Sequence, residues 1–187
     1  MTDAMQSAQM DQWLNQKLDE LLPSKLAQIE AQKTPKMAII ATKGTLDWAY
    51  PPFILASTAA ALGWDVQIFF TFYGLQLLRK NLDSIKISPL ANPAMPMPVP
   101  MPVMVQMLPG MESMATMMMK QKLAKHGVAS LEELRDLCLE ADVKFIACQM
   151  TVDLFEFDKS EFIDNVEYGG ASMFFGFAGE TDICLFV

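Results

Sequence analysis

The chain has 187 residues, three cysteines, one histidine and a formal net charge of −8, from 14 Lys and Arg against 22 Asp and Glu. This length supports one packed domain, and the negative balance without a basic cluster excludes a nucleic-acid footprint. The cysteines, at 138, 148 and 184, are odd in number, widely spaced and outside any CxxC pattern, and the start Met1-Thr2-Asp3-Ala4-Met5-Gln6 lacks the basic and apolar regions of a signal peptide, so a reducing cytoplasm is expected.

Residues 3–33 are polar, with Trp13, Leu14, Leu18, Leu21, Leu22, Leu26 and Ile29 recurring at three- and four-residue intervals, the spacing of an amphipathic helix. Pro23 is expected to kink or break it, and Thr34-Pro35 to close an N-terminal helical extension over residues 1–35. Its apolar stripe must dock on its own domain or on a neighbouring subunit.

Met37 to Thr42 then reads as a short buried strand, with Lys43-Gly44-Thr45-Leu46-Asp47 as the loop leaving its carboxyl end. Pro51-Pro52 suits the first turn of a helix carrying Phe53, Leu55, Ala59, Ala60 and Leu62, capped by Gly63. Val66 to Phe70 is a second strand, and Thr71-Phe72-Tyr73-Gly74 turns into a helix carrying Leu75, Leu77 and Leu78. Strands alternating with helices predict an α/β domain over residues 36–187, with an open, mostly parallel sheet covered on both faces.

The pattern breaks in a Met/Pro-rich insertion over residues 89–119. Seven of eleven prolines lie between 89 and 109, ten of sixteen methionines lie between 95 and 119, and Glu112 is the only charge between Ile87 and Met119. Dense proline forbids a membrane-spanning helix from Pro96 to Pro102, so an extended segment is expected there. Helical spacing resumes at Met111, Met114, Met118 and Leu123 and runs out at Gly127, which makes His126 an exposed helix-end residue. With the sole histidine at such a helix end, neither a Cys/His zinc site nor a Cys–His catalytic pair is expected.

Ser130-Leu131-Glu132-Glu133 has the form of a capping box, opening a helix with Leu131, Leu134, Leu137, Cys138 and Ala141 on one face. The run Val143 to Cys148 is a buried strand followed at once by the helix-compatible Gln149-Met150-Thr151-Val152-Asp153. Ser160 to Asp164 suggests a short helix, Val166 to Gly170 a connection, and Asp182 to Val187 a terminal buried strand in which Cys184, like Cys138, is read as packing.

Cys148 is the candidate reactive atom. It ends a strand at the edge where open α/β sheets keep their crevices, facing the first N–H groups of a following helix, and such N–H groups favour a thiolate. Position alone leaves two readings, an inert small hydrophobe or a nucleophile.

Ala38 to Asp47, the stretch VQIFFTFYGL from Val66 to Leu75, Ser130 to Leu134, Ile146-Ala147-Cys148-Gln149-Met150-Thr151-Val152-Asp153 and Val166 to Ala171 together resemble the DsrE/DsrF-like sulfur-carrier family, in its Met-rich branch labelled peroxiredoxin-like. The resemblance runs over about residues 36–187 in the family's order. The label itself carries no weight, because nothing here supplies a Thr-x-x-Cys peroxidatic pattern with its supporting arginine. The first loop reads Thr-Lys-Gly-Thr-Leu-Asp where relatives often have Ser-Gly-Asp-Leu-Asp.

The resemblance implies a flavodoxin-like fold, homo-oligomers, no cofactor, and sulfur carried as a persulfide on Cys148. It also implies sulfurtransferase partners: TusA-type carriers, rhodaneses or a heterodisulfide-reductase-like system. On this reading Gln149, Met150 and Thr151 hold the sulfur anion at the helix start, while Thr42, Lys43 and Gly44 sit across the crevice. Lys43 either adds positive charge or is a solvated loop lysine, and Tyr73 either lines the rim or packs as a ring.

An alternative from another class is a scaffold or membrane-associated module acting through the Met/Pro segment, whose thioethers repack against varied partners. The absence of Lys and Arg there weakens an anionic-lipid contact. Met95, Met97, Met101 and Met104 are conceivable Cu(I) ligands, but without flanking His or Cys no metal site is expected. Nucleotide binding has no GxGxxG or Walker pattern behind it.

Overall fold

A computed structural model of the chain describes residues 2–87 and 110–187, with side chains from residue 10 onward. The expectations for the proline-dense stretch and its methionines, Cu(I) ligation included, lie outside the described residues. The chain divides into two units, Met1–Thr34 and Pro35–Val187.

The first unit is one helix, α1 (Thr2–Gln32), and Pro23 sits inside it without ending it. This differs from the predicted break: proline removes a single donor and falls on the polar side of the helix, and the Ser24 hydroxyl donates to the Leu21 carbonyl at 2.8 Å in the same turn.

The second unit contains β1 (Lys36–Ala41), α2 (Leu46–Ala61), β2 (Asp65–Phe70), a 3-10 helix (Phe72–Leu78), α3 (Met111–Lys125), α4 (Leu131–Glu140), β3 (Lys144–Cys148), α5 (Gln149–Leu154), a 3-10 turn (Lys159–Glu161), β4 (Val166–Gly169), α6 (Ala171–Ala178) and β5 (Ile183–Phe186). The strands form one sheet in the order β4-β3-β2-β1-β5, and every pairing is parallel. The expected open α/β architecture with helices on both faces is present. Within that class the order differs from the 2-1-3-4-5 of flavodoxin itself, so the direction of winding reverses between β1 and β5.

Handedness explains the two layers. From β1 to β4 the chain steps in one direction, and from β4 to β5 it returns past β1. Right-handed crossovers run in opposite directions put their helices on opposite faces. Accordingly α2 and α4 cover one face over a core of Phe53, Phe70 and Phe145, whose ring centroids lie 5.3–6.0 Å apart. The other face carries Ala38, Phe69, Ile146 and Cys148 under Phe174 of α6.

Several boundaries depart from the sequence reading. Helix α2 starts at Leu46, so Pro51 and Pro52 lie inside it; Thr45 opens the turn, its carbonyl accepting from Trp48 and Ala49 at 3.1 and 2.9 Å. Residues 166–169, read as a connection, are the edge strand β4, and α6 was not foreseen. In α4 the buried face is Leu131, Leu134, Arg135 and Cys138, whereas Leu137 is exposed. Arg135 occupies a core position because its guanidinium donates to the Leu77 and Arg79 carbonyls at 3.3 and 2.6 Å. Cys184 is exposed rather than packed, because β5 is an edge strand and its outer pleat has little cover.

The capping box stands as predicted: Ser130 accepts from the Glu133 N–H at 3.2 Å and its own N–H donates to the Glu133 carboxylate at 2.7 Å. Ser130→Ala is expected to cost about 1 kcal/mol, read as a lower urea midpoint at unchanged slope; an unmoved midpoint would show that the box contributes nothing.

Candidate functional site

Cys148 is the last residue of β3 and the residue from which α5 departs. Burial raises its thiol pKa. Hydrogen bonds more than offset that, in order from the Thr151 hydroxyl, the Thr151 N–H, the Thr71 hydroxyl and the Met150 N–H, so the thiol is held below its ordinary range. Two hydroxyls and two amides near the sulfur favour its charged form, which is the nucleophile, while the side chain forms no cap hydrogen bond to the helix that starts there.

The supports of this nest come from the neighbouring strand. Thr71 follows the last residue of β2, where Phe70 stands opposite Ala147, so its side chain arrives level with Cys148. The Thr71 and Thr151 hydroxyl oxygens are 3.1 Å apart, and the Phe72 N–H donates to the Thr151 hydroxyl at 3.4 Å. Phe72 holds φ at +48°, a conformation costing a non-glycine residue about 1 kcal/mol or more. That strain turns the chain so that Thr71 and the Phe72 amide both address Thr151.

Two glycines let the loops close beneath the nest. A Cβ on Gly74 would overlap the Ala41 carbonyl, and one on Gly44 would overlap the Tyr73 carbonyl, so only residues without side chains allow the β1 loop and the 3-10 helix to touch. The Gly74 N–H bridges the gap by donating to the Thr42 and Thr71 carbonyls at 3.1 and 3.0 Å.

The predicted site residues separate into two groups. Met150 and Thr151 surround Cys148 directly. Gln149 faces away, donating to Asp153 at 2.6 Å and accepting from Lys159 at 2.8 Å. Tyr73 is an exposed ring stacked on Phe155, centroids 5.7 Å apart. Thr42 and Lys43 are engaged elsewhere: the Thr42 hydroxyl donates to the Val187 carbonyl at 3.1 Å, and the Lys43 ammonium lies 3.0 Å from the centroid of the Trp48 ring. Gly44 serves the loop contact with Tyr73. The sulfur is therefore held by neutral dipoles and not by a lysine.

From the sequence Thr71 is only the start of a turn, with no part in the site. The available signal was a polar residue immediately after an apolar strand inside the stretch IFFTFYG, at the sheet edge that Cys148 shares.

Access is tighter than the sequence suggested. Cys148 is 5% exposed, beneath Phe174 of α6 and beside Gly169, its register partner on β4. Around it the carboxyl edge presents exposed Phe72, Tyr73, Met150, Leu154 and Phe155. The other two thiols differ from it in kind. Cys138, fully buried and donating to the Phe53 carbonyl at 3.4 Å, is pushed up to about 12 by burial and remains a thiol. Native alkylation followed by peptide mapping is expected to modify Cys184 and Cys148 and to leave Cys138 untouched until the chain is denatured; labelling of Cys138 in the folded protein would contradict this placement.

Among the described residues no group of three or more His, Cys, Asp or Glu is placed to hold a metal, and no helix is long and apolar enough to cross a membrane.

A family profile described as DsrE/DsrF/DrsH-like matches residues 33–186. The chain belongs to that family. It is 67% identical over 156 residues, covering 81% of this chain and 98% of the relative, to the protein named sulfur carrier protein DsrE2 of Allochromatium vinosum. It is 31% identical over 160 residues, 83% of this chain and 99% of the relative, to the uncharacterized protein YrkE of Bacillus subtilis. The solved structure of the ychN protein of E. coli is 12% identical and superposes with a TM-score of 0.48, covering 82% of this chain and all of that one. The family match confirms the expectation raised by the FFTFYGL and ACQM stretches, both of which lie within it.

Proposed function

We propose that this DsrE-family protein is a sulfur carrier that holds sulfur as a persulfide on Cys148 and relays it between protein thiols. The observation that carries the reading is the thiol at the carboxyl end of β3, beside the Thr71–Thr151 hydroxyl pair and at the start of α5, lowered in pKa despite its burial. The name of the Allochromatium relative supports it.

The chemistry balances without a cofactor or an external oxidant. The Cys148 thiolate attacks the outer sulfur of a donor persulfide; the donor S–S bond breaks, its thiolate leaves, and a new S–S bond forms on Cys148. An acceptor thiolate then attacks that outer sulfur and regenerates the Cys148 thiolate. Each step is an exchange with no net electron transfer. The two threonine hydroxyls and the Met150 and Thr151 amides stabilise the anion on either side of the exchange.

The apolar rim of Phe72, Tyr73, Met150, Leu154 and Phe155 is the surface against which donor and acceptor proteins, or further copies of the chain, would seat and exclude water. The resemblance nominates TusA-type carriers, rhodaneses or a heterodisulfide-reductase-like system as the partners on either side of the relay, in the reducing cytoplasm. Incubation with a sulfur-loaded rhodanese, followed by a reduced TusA-type protein, should move one sulfur atom through this chain. Donor and acceptor exchanging at the same rate in its absence would refute the relay.

A further inference from the structure

Helix α1 is left unexplained by the sulfur site. It ends at Gln32, and the family match begins at residue 33, so it stands outside the part of the chain that relatives of this family share. Every residue from 10 to 34 is exposed, including Met10, Trp13, Leu14, Leu18, Leu21, Leu22, Leu26 and Ile29, each between 46% and 63%. A helix of 31 residues, about 46 Å long at 1.5 Å per residue, gains most of its stability in water from burying such a stripe.

The stripe has a ridge. Leu14, Leu18, Leu22, Leu26 and Ile29 follow one another at intervals of four, four, four and three, so they stand over one another on a single side of the helix. Leu22 is the middle residue of that ridge, so a reversed copy of the helix centred on it sets Leu18 level with Leu26 and brings Leu14 within one residue of Ile29.

Charge then selects the direction. Residues 10–22 carry Asp11, Asp19 and Glu20 against Lys17, which is ion-paired with Glu20, whereas residues 23–33 carry Lys25 and Lys33 against Glu30. A parallel pair would set acidic half on acidic half. An antiparallel pair sets acidic half on basic half and opposes the two helix dipoles favourably. The acids of the first half also disfavour an anionic lipid surface as the occupant.

We propose that α1 is an assembly helix that pairs antiparallel with α1 of a second copy of this chain, with Leu22 at the two-fold axis and Leu18 of each helix level with Leu26 of the other. This interface is isologous: one apolar ridge, its own partner, closing at two subunits. Subunits joined elsewhere through the α/β domain would be linked in pairs by it, and the interface needs nothing from Cys148.

The test uses the full chain with single cysteines placed on the helix. Under mild oxidation Leu22→Cys is expected to give a disulfide between two residue-22 peptides, assigned by mass mapping against the three native thiols. Asp11→Cys should give none with itself, since the two copies would lie about 33 Å apart across the axis at 1.5 Å per residue. Full-length Leu18→Asp/Leu22→Asp/Leu26→Asp should show half the wild-type mass by light scattering while persulfide loading at Cys148 is unchanged. Self-cross-linking at residue 11 as readily as at residue 22 would overturn the antiparallel arrangement. Flotation of the wild-type chain with phosphatidylcholine or phosphatidylglycerol vesicles, lost in the triple variant, would make lipid the occupant and overturn the proposal. So would an unchanged mass together with no cross-link at residue 22.

Discussion

Cys148→Ser is expected to fold as the wild type does and to lose every trace of protein-bound persulfide after incubation with a persulfide donor. Serine fits the space: the residue ends β3, and its neighbours Thr71, Thr151 and the Met150 amide bond an oxygen as readily as a sulfur. Chemistry is what it removes, because a serine hydroxyl at neutral pH cannot form the S–S bond on which the carrier depends. Neither remaining thiol replaces it. Cys138 is held as a buried thiol, and Cys184, exposed on the edge strand β5, is separated by β2 and β1 from the strand end where Thr71 and Thr151 meet. Intact mass before and after exposure to the donor measures the effect, and undiminished loading in the variant would remove Cys148 from the mechanism.

Thr151→Val is expected to slow alkylation of Cys148 at neutral pH by about tenfold or more, since a hydrogen bond to a charged group is worth about 1.5–3 kcal/mol and each 1.4 kcal/mol is a factor of ten. The side chain is fully buried, so valine fills its volume, and what disappears is a donor to the sulfur together with the acceptor used by the Phe72 N–H. Thr71→Val removes the second hydroxyl, and because the two hydroxyls touch at 3.1 Å their effects should not add independently. The sign follows from the direction of the shift. The folded thiol titrates below its ordinary value, so the wild type reacts in a pH range where an unperturbed cysteine is still protonated. Removing a donor moves the alkylation profile to higher pH. The same linkage acts on stability: the contribution of the thiolate is present above the unfolded thiol's pKa of about 8.5 and is lost as pH falls through the lowered folded value. An alkylation profile identical to that of the wild type in both threonine variants would show that the hydroxyls do not hold the charge.

Much of this site is written locally. The β3 run ending in Cys148, followed immediately by residues that start a helix, fixes the thiol at the carboxyl edge of the sheet, and the Ser130–Glu133 box fixes the start of α4. What sequence could not supply is which residues meet from different strands. Thr71 reaches Cys148 only because β2 and β3 are in register with Phe70 beside Ala147, and pairing register is a tertiary property. Lys43 looked suited to an anion because it follows β1, yet the strand order puts β2 between β1 and β3, and its ammonium finds the Trp48 ring within the same loop and helix. The strand β4 and the helix α6 were missed for related reasons. Val166-Glu167-Tyr168-Gly169 is too short and too glycine-bounded to read as a strand alone, and its identity comes from pairing with β3.

The edge strands show the same limit from the other side. Ile183 to Phe186 has the apolar composition of a buried strand, and its exposure follows from lying outermost beside β1, a position that only the sheet order discloses. Cys184 therefore passes from core to surface, which gives the molecule a second reachable thiol and makes localisation of the sulfur the decisive observation.

That observation is intact-mass analysis of the wild-type protein after incubation with a persulfide donor, followed by proteolysis and mapping of the added sulfur. The account predicts one extra sulfur atom per chain, on the peptide containing Cys148. Sulfur found on the Cys184 or Cys138 peptide, or a chain that takes up none while its donor stays loaded, would contradict it.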